Sequence, residues 1–367
     1  MLYHRNLKNC YVILVALFIG SISANAQHII DTISVRTLPL KGQVKYFKEI
    51  TSECKETVDG IVADKIVTEG DFQEKEYNYH SNFAYSFDGQ GRMLKSEEYR
   101  SISKPYETKE VTYGSHGISQ ILTHFDFPGE GRRTAKTFFK YDEKGQLSQI
   151  SLYAIMGTLA SRRILSYDSK GNLVKDADYD NEGDVSDLYS YVYKYGASGS
   201  LLFKQETYSK YGKVDTITSD EYDESGRVIH HKYIIGGDII LKDDYYTYNP
   251  DSTVDKIEDK RRGDNTVFGV TTYHYEDGKL VLEKAVYPRY TKTSVHEDNI
   301  TKVTYHEDGQ LKYNKTYIDG RINEIKMANG TIYTYEYEID SHGNWTKAIE
   351  RKNSVPVLMK KRTILYY

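Results

Sequence analysis

Tyr141-Asp142-Glu143-Lys144-Gly145-Gln146-Leu147 returns as Tyr167-Asp168-Ser169-Lys170-Gly171-Asn172-Leu173 and as Tyr222-Asp223-Glu224-Ser225-Gly226-Arg227-Val228. Phe87-Asp88-Gly89-Gln90-Gly91-Arg92-Met93 has the same form: aromatic, Asp, two residues, Gly, polar, aliphatic. Looser copies begin at Tyr113, Tyr195, Tyr248, Tyr275 and Tyr305, and a last one runs from Ile339 to Trp345. The starts at 87, 113, 141, 167, 195, 222, 248 and 275 lie 26, 28, 26, 28, 27, 26 and 27 residues apart. The next two intervals stretch to 30 and 34, with a shorter copy at Tyr317 inside the second. Spacing this regular marks a repeat architecture. Asp-x-x-Gly is a turn, because the carboxylate accepts from nearby backbone N–H groups and Gly takes positive φ without steric cost. A second breaker midway, such as Asn181–Asp184 or Tyr211-Gly212, makes each unit two strands and two turns.

Alternation confirms the strands. One residue before each leading aromatic or Ile stand Ser86, Thr112, Lys140, Ser166, Lys194, Glu221, Thr247, His274, Thr304 and Glu338, all polar. Two residues before stand Tyr85, Val111, Phe139, Leu165, Tyr193, Asp220, Tyr246, Tyr273, Val303 and Tyr337, nine of them apolar or aromatic. A period of two with one wet and one aromatic face is a half-buried sheet. The expected fold is therefore all-β: an extended, curled antiparallel sheet of about ten tandem β-hairpin repeats of about 27 residues. Some twenty strands at ~4.8 Å would make a sheet roughly 100 Å wide that must coil to cover its apolar face.

Composition narrows the function class. The 367 residues include 36 Tyr against 11 Phe and one Trp, too aromatic for a disordered chain. A net charge of −4 shows no basic excess of the kind that nucleic-acid binding needs. Arg5 and Lys8, the apolar run Tyr11–Ile19 and Ser23-Ala24-Asn25-Ala26 read as a signal peptide, 1–26, cleaved before Gln27. The run is too short for a permanent span of roughly 20 residues. Removing Arg5 and Lys8 leaves 47 basic against 53 acidic residues, or −6. Cys10 leaves with the signal, so the mature chain holds one thiol, Cys54, and no internal disulfide. The expected destination is the periplasm or cell exterior of a bacterium. Residues 27–82 form a divergent opening repeat with an insertion, and 83–367 the array.

The segments Phe83-Ala84-Tyr85-Ser86-Phe87-Asp88-Gly89-Gln90-Gly91-Arg92-Met93 and Tyr335-Glu336-Tyr337-Glu338-Ile339-Asp340-Ser341-His342-Gly343-Asn344-Trp345 resemble the YD repeat of the RHS proteins. The resemblance spans roughly 83 to 345; the shorter YEDGKL and YIDGRI copies are similar to MORN-type variant repeats, the competing assignment. RHS membership implies hairpins that build a spiralling shell around a toxin or present a carbohydrate-binding surface. Here the repeats run almost to Tyr367 and leave no cargo domain, so the resemblance implies architecture and a binding or scaffold role.

Candidate site residues follow from the tyrosines. Tyr189, Tyr191 and Tyr193 lie on one side of one strand and Tyr333, Tyr335 and Tyr337 on one side of another. Cross-strand packing is the plainer account; the alternative is a stacking surface for sugar or peptide. Asp178, Asp180 and Glu182 imitate the front of a calcium loop, but the twelfth position is Tyr189 rather than Glu, and the segment coincides with a hairpin turn. His230-His231, His296 and His306 lack metal-ligand spacing, Cys54 lacks a paired His, and Arg262-Gly263-Asp264 is explained as a turn. No cofactor fingerprint occurs. A transmembrane barrel is rejected because Leu241–Tyr248 carries charge on both alternating sets, at Lys242, Asp244 and Asp243. The expectation is a non-enzymatic, exported binding or scaffold module for glycan or a surface protein. A carbohydrate hydrolase with carboxylates from different repeats, and an assembly component joined through its edge strands, are the alternatives.

Overall fold

The repeated letters build one loop many times over. In Asp142–Leu147, Asp142 Oδ1 accepts from the backbone N–H of Lys144 and of Gln146 at 2.9 and 2.8 Å, and Gly145 takes φ +77°. Asp88, Asp168, Asp223 and Asp340 do the same for their own loops. The leading tyrosine has a separate task. The hydroxyls of Tyr113, Tyr141, Tyr167 and Tyr248 donate to the carbonyls of Met93, Ile118, Leu147 and Val228 at 2.9, 3.0, 2.8 and 2.6 Å. Each ring thus ties its repeat to the one before it, which explains why this position holds Tyr where Phe would pack as well. A Cβ on Gly117 would stand 2.5 Å from the Tyr141 hydroxyl, so the bond to Ile118 needs glycine beside it. Tyr167→Phe should lower stability by about 1 kcal/mol, read as a lower urea midpoint at unchanged slope.

The computed structural model describes residues 38, 40–67, 82–99, 104–127, 131–261 and 266–367. The expected signal peptide and Arg262-Gly263-Asp264 lie outside the described residues. β1 (Val44–Thr57) and β2 (Gly60–Ile66) form an opening hairpin. There follow β3 (Asn82–Phe87), β4 (Met93–Tyr99), β5 (Pro105–Tyr113), β6 (Ile118–Phe127), β7 (Gly131–Tyr141), β8 (Leu147–Tyr153), β9 (Leu159–Tyr167) and β10 (Leu173–Tyr179). The 27-residue spacing continues through β11 (Val185–Tyr195), β12 (Leu201–Lys210), β13 (Lys213–Tyr222), β14 (Val228–Ile235), β15 (Ile239–Tyr248), β16 (Val254–Asp259) and β17 (Gly269–Glu276). The last eight are β18 (Lys279–Val286), β19 (Tyr290–Glu297), β20 (Ile300–Glu307), β21 (Gln310–Ile318), β22 (Arg321–Met327), β23 (Ile332–Ile339), β24 (Trp345–Lys352) and β25 (Val355–Tyr366). The described residues contain no helix.

The period shortens where the turns change type. Asp277, Asp298, Asp319 and Asp340 stand 21 residues apart on one rim of the sheet. Asp277-Gly278 and Asp319-Gly320 are two-residue turns with positive φ at both positions, the hairpin geometry that Asp-Gly favours. The copy at Tyr305 is out of phase: its turn, Asp308-Gly309, lies on the opposite rim. Counted from Asp to Asp, the stretch that the intervals of 30 and 34 cover is thus three units of 21, with Asp298-Asn299 the turn that the aromatic-first pattern misses.

The sheet does not stay open. β1 pairs with β25 from Val44↔Tyr366 to Glu53↔Leu358, and with β3 from Tyr46↔Ser86 to Glu49↔Phe83. β1 and β3 to β25 therefore close into a 24-stranded antiparallel barrel, with β2 folded back along the end of β1. This corrects the expected open, curled sheet. Twist brings the first and last strands of a wide sheet together, and pairing them satisfies two rows of backbone groups that would otherwise be exposed. The two end strands on which self-association was to rest are hydrogen-bonded to each other.

Closure gives the two faces different surroundings. At the alternate positions tested above, eight of the ten polar residues are exposed and none of the ten aromatic-side residues is. Side chains converge inside a closed sheet and diverge outside it, so the aromatic set lines the interior. Tyr246 accordingly lies far deeper than its neighbour Tyr245. The outward set carries Lys140, Lys194, Glu221, His274 and Glu338 around the wall, where a lipid-facing band would be free of charge. Among the described residues no helix is long and apolar enough to cross a membrane.

Candidate functional site

Along β1 and β3 to β10 the interior wall carries an apolar cluster near the Asp-x-x-Gly rim, where Phe47, Phe87, Met93, Leu147 and Leu173 pack together. The candidate tyrosines face the interior but do not form one site. Tyr189, Tyr191 and Tyr193 lie on β11 and Tyr333, Tyr335 and Tyr337 on β23, twelve strands apart in a ring of 24. They belong to opposite walls. Tyr189 stacks on Tyr208 with ring centroids 4.7 Å apart, Tyr191 packs against the apolar cluster, and the Tyr193 hydroxyl donates to the Leu173 carbonyl at 3.1 Å. The first trio is engaged in holding neighbouring strands together.

The second trio borders a cavity of 810 Å³ that runs along β23, β24 and β25, lined by Tyr335 and Tyr337 but not by Tyr333. Its lower end is framed by Lys41, by Asp319 and Arg321 around the β21–β22 turn, and by Trp345. Trp345, the chain's one tryptophan, has the Arg362 guanidinium 3.3 Å from its ring centroid and the edge of Tyr337 at 6.1 Å. The Tyr337 hydroxyl donates to the Ile322 carbonyl at 2.8 Å, fixing the ring against β22. Above these lie Glu350 and Lys360, on neighbouring strands β24 and β25.

Burial decides the electrostatics here. It pushes the Lys360 amine down to about 8, against the attraction of Glu49 and Glu350 and with some help from Arg362. It pushes the Glu350 carboxyl up, opposed by Lys360 and by a hydrogen bond from Tyr335. Tyr335 is pushed up as well, first by burial and then by the Glu350 charge. The Arg362 guanidinium is lowered by burial although its Nε donates to Glu49 Oε2 at 2.8 Å. Two cations, Arg362 and Lys360, thus lie between two carboxylates, Glu49 and Glu350, at the β1–β25 closure. The sequence pattern found Tyr335 and Tyr337 through their alternation. It missed Lys360 and Arg362, two hairpin strands away on β25, and Glu49, which becomes their neighbour only when the ring shuts.

Asp178, Asp180 and Glu182 do not converge. Asp180 Oδ1 accepts from the backbone N–H of Glu182, Gly183 and Asp184 at 2.9 Å each, as the other turn aspartates do, and Glu182 is exposed on the turn. Asp178 instead faces the interior beside Arg163. Among the described residues no three His, Cys, Asp or Glu side chains are arranged to hold a metal ion. Cys54 is buried, and burial pushes its thiol up, away from the thiolate that a nucleophile needs.

No family model matches the chain, and neither does any curated protein. Solved structures with some likeness include the Photorhabdus luminescens Tc holotoxin pore, 11% identical, with 89% of this chain aligned to 19% of that one at a TM-score of 0.23. A TcdB2–TccC3 chain is 10% identical over 84% of this chain and 19% of its own, at 0.22. The chain thus spans about a fifth of the length of either. A porin-like protein from Bacteroides uniformis is 11% identical over 89% of this chain and 99% of its own, at 0.23. Scores at this level establish neither a shared fold nor a shared role. The strand register by itself identifies the chain as a closed array of β-hairpin repeats.

Proposed function

We propose that the protein is a non-enzymatic glycan-binding module of an exported bacterial protein, with the ligand seated between β22 and β25. The observation that carries this reading is the cavity: 810 Å³ places it in the usual range of small-ligand sites, which is about 300–1,000 Å³. Its Trp345 and Tyr337 rings offer apolar surface to a sugar face, and Arg321, Glu350 and Lys360 offer hydrogen-bonding heads to hydroxyls. Trp345, being the sole indole, makes the test direct. Titrating the mature chain with a panel of oligosaccharides should shift Trp345 fluorescence saturably for at least one of them, and Tyr337→Ala should weaken that ligand about tenfold. A panel that leaves the emission unchanged removes the reading. Export is part of the same proposal, and the N-terminus of the secreted protein should be Gln27.

A second reading is favoured by one observation. Glu350 is pushed toward its protonated form, as the general acid of a glycosidase would be. The other lining carboxylate, Asp319, sits on the β21–β22 turn, where it accepts from Arg321 at 3.3 Å and from Asn299 at 3.0 Å. Release of reducing ends from a bound oligosaccharide, abolished by Glu350→Gln, would establish hydrolysis in place of simple binding.

A further inference from the structure

Away from the cavity, four adjacent strands place three acids in one inward row. Asp220 on β13 lies opposite His231 on β14, His231 opposite Asp244 on β15, and Asp244 opposite Asp259 on β16. Two of the three carboxylates are supplied with donors. Asp220 Oδ1 lies 2.7 Å from His231 Nδ1, and Asp259 accepts from the backbone N–H of Arg261 at 3.0 Å and from its Nε at 2.7 Å. Asp244 is 9% exposed, yet among the described residues no donor reaches its carboxylate. Burial pushes that carboxyl up and Asp259 adds to the rise, while Lys242, His231 and Arg261 oppose it without forming an ion pair with it. A buried charge without a donor costs stability that a bound counter-charge returns.

Around Asp244 the wall is phenolic. The hydroxyls of Tyr246 and Tyr287 are pushed up first by burial and next by the Asp244 charge, and Tyr273 feels the same charge more weakly. Tyr287 reaches the row because β17 has no side chain at Gly269, opposite Asp259, where a Cβ would collide with the Tyr287 ring. The Asp220 and His231 side chains are 25% and 24% exposed, so solute reaches the row. We propose that Asp244 anchors a binding site for the primary ammonium group of a small ligand, with the neutral hydroxyls of Tyr246 and Tyr287 as the further acceptors. A primary ammonium carries three N–H donors, which one carboxylate and two hydroxyls satisfy, and its bond to the carboxylate is charge-assisted. A divalent metal ion would need several oxygen ligands at once, whereas Asp220 and Asp259 are already held by His231 and Arg261. The site is separate from the β22–β25 cavity and does not depend on the glycan-binding reading.

Calorimetry on the mature chain at neutral pH tests the site with glucosamine, N-acetylglucosamine, butylamine and tetramethylammonium. The two primary amines should bind at least tenfold more tightly than the other two, because acetylation removes the charge and tetramethylammonium has no N–H to donate. Glucosamine binding alone would support an ammonium carried on a sugar; butylamine matching it would support the ammonium group by itself. Asp244→Asn should abolish amine binding and raise the urea midpoint, since it removes a buried charge that has no donor. Tyr246→Phe should weaken glucosamine several-fold while keeping the ring in place. Failure of both amines to bind, or tetramethylammonium binding as tightly as they do, would overturn the site. An Asp244→Asn variant with a lowered midpoint would overturn it too, by showing that Lys242, His231 and Arg261 use Asp244 as a structural partner. The fold of each variant is checked by its far-UV spectrum.

Discussion

Arg362→Met should destabilise the protein by about 3–5 kcal/mol. Arg362 lies opposite Glu49 in the register that joins the last strand to the first, and the two side chains are 12% and 8% exposed. Its Nε donates to Glu49 at 2.8 Å while its guanidinium stacks on one face of Trp345 and approaches Phe47, with centroid distances of 3.3 and 5.2 Å. Methionine keeps the apolar contacts with both rings but leaves Glu49 charged and buried with only Lys360 to answer it. The loss is therefore mostly the cost of an orphaned carboxylate, and Glu49→Gln in the same chain should recover most of it. Urea unfolding of the two single variants and the double variant gives the coupling directly. A loss below about 1 kcal/mol would mean that water reaches the pair and that the closure is held by backbone bonds alone.

The second large effect comes with its opposite beside it. Asp176 is 1% exposed and takes two hydrogen bonds from Arg163, both 2.6 Å. Asp176→Ala should cost about 3–5 kcal/mol, since it strands a half-buried guanidinium. Asp178, two residues along the same strand and on the same face, is the surplus acid. Burial raises its carboxyl, Asp187 and Asp176 raise it further, Arg163 only partly offsets them, and its Oδ1 has no hydrogen-bond partner. Asp178→Asn should accordingly stabilise the protein by about 1 kcal/mol at neutral pH. A carboxyl raised in the folded state costs stability above its folded pKa, and that cost disappears as pH falls below its unfolded value of about 4. The advantage of Asp178→Asn over the native protein should be largest near pH 7 and shrink toward pH 4. An advantage that grows on acidification would show that Arg163 serves Asp178 rather than Asp176.

Local features were legible in the sequence because local chemistry determines them. The Asp-x-x-Gly loops, the alternation before them and the wet and aromatic faces all depend on residues a few positions apart, and the folded chain has them at Asp88, Asp142, Asp168, Asp223 and Asp340. The change of period was readable in principle, since Asp277, Asp298, Asp319 and Asp340 are evenly spaced. It was hidden because Asp298 is preceded by His296-Glu297 rather than by an aromatic residue. Closure was not legible. Pairing of Glu49 with Arg362 spans 313 residues, and alternation fixes which face a side chain takes without fixing how many strands surround it. The same limit governed the site. Tyr335 and Tyr337 announce themselves by spacing, whereas Lys360 and Glu350 resemble ordinary surface charges until β1 is laid beside β25.

The junction of β1 with β25 also governs the order of events during biogenesis. Hairpins in the middle of the chain can zip as soon as their own residues emerge, because each joins neighbours in sequence. The N-terminal ribbon must wait for Leu358–Tyr366, some 313 residues further along at the Glu49–Arg362 pair, and meanwhile shows a bare flank to every other nascent chain. Maturation should thus be slow at its final step, and a copy truncated before Val355 should accumulate as sticky oligomers even though the hairpins from β3 to β24 have paired.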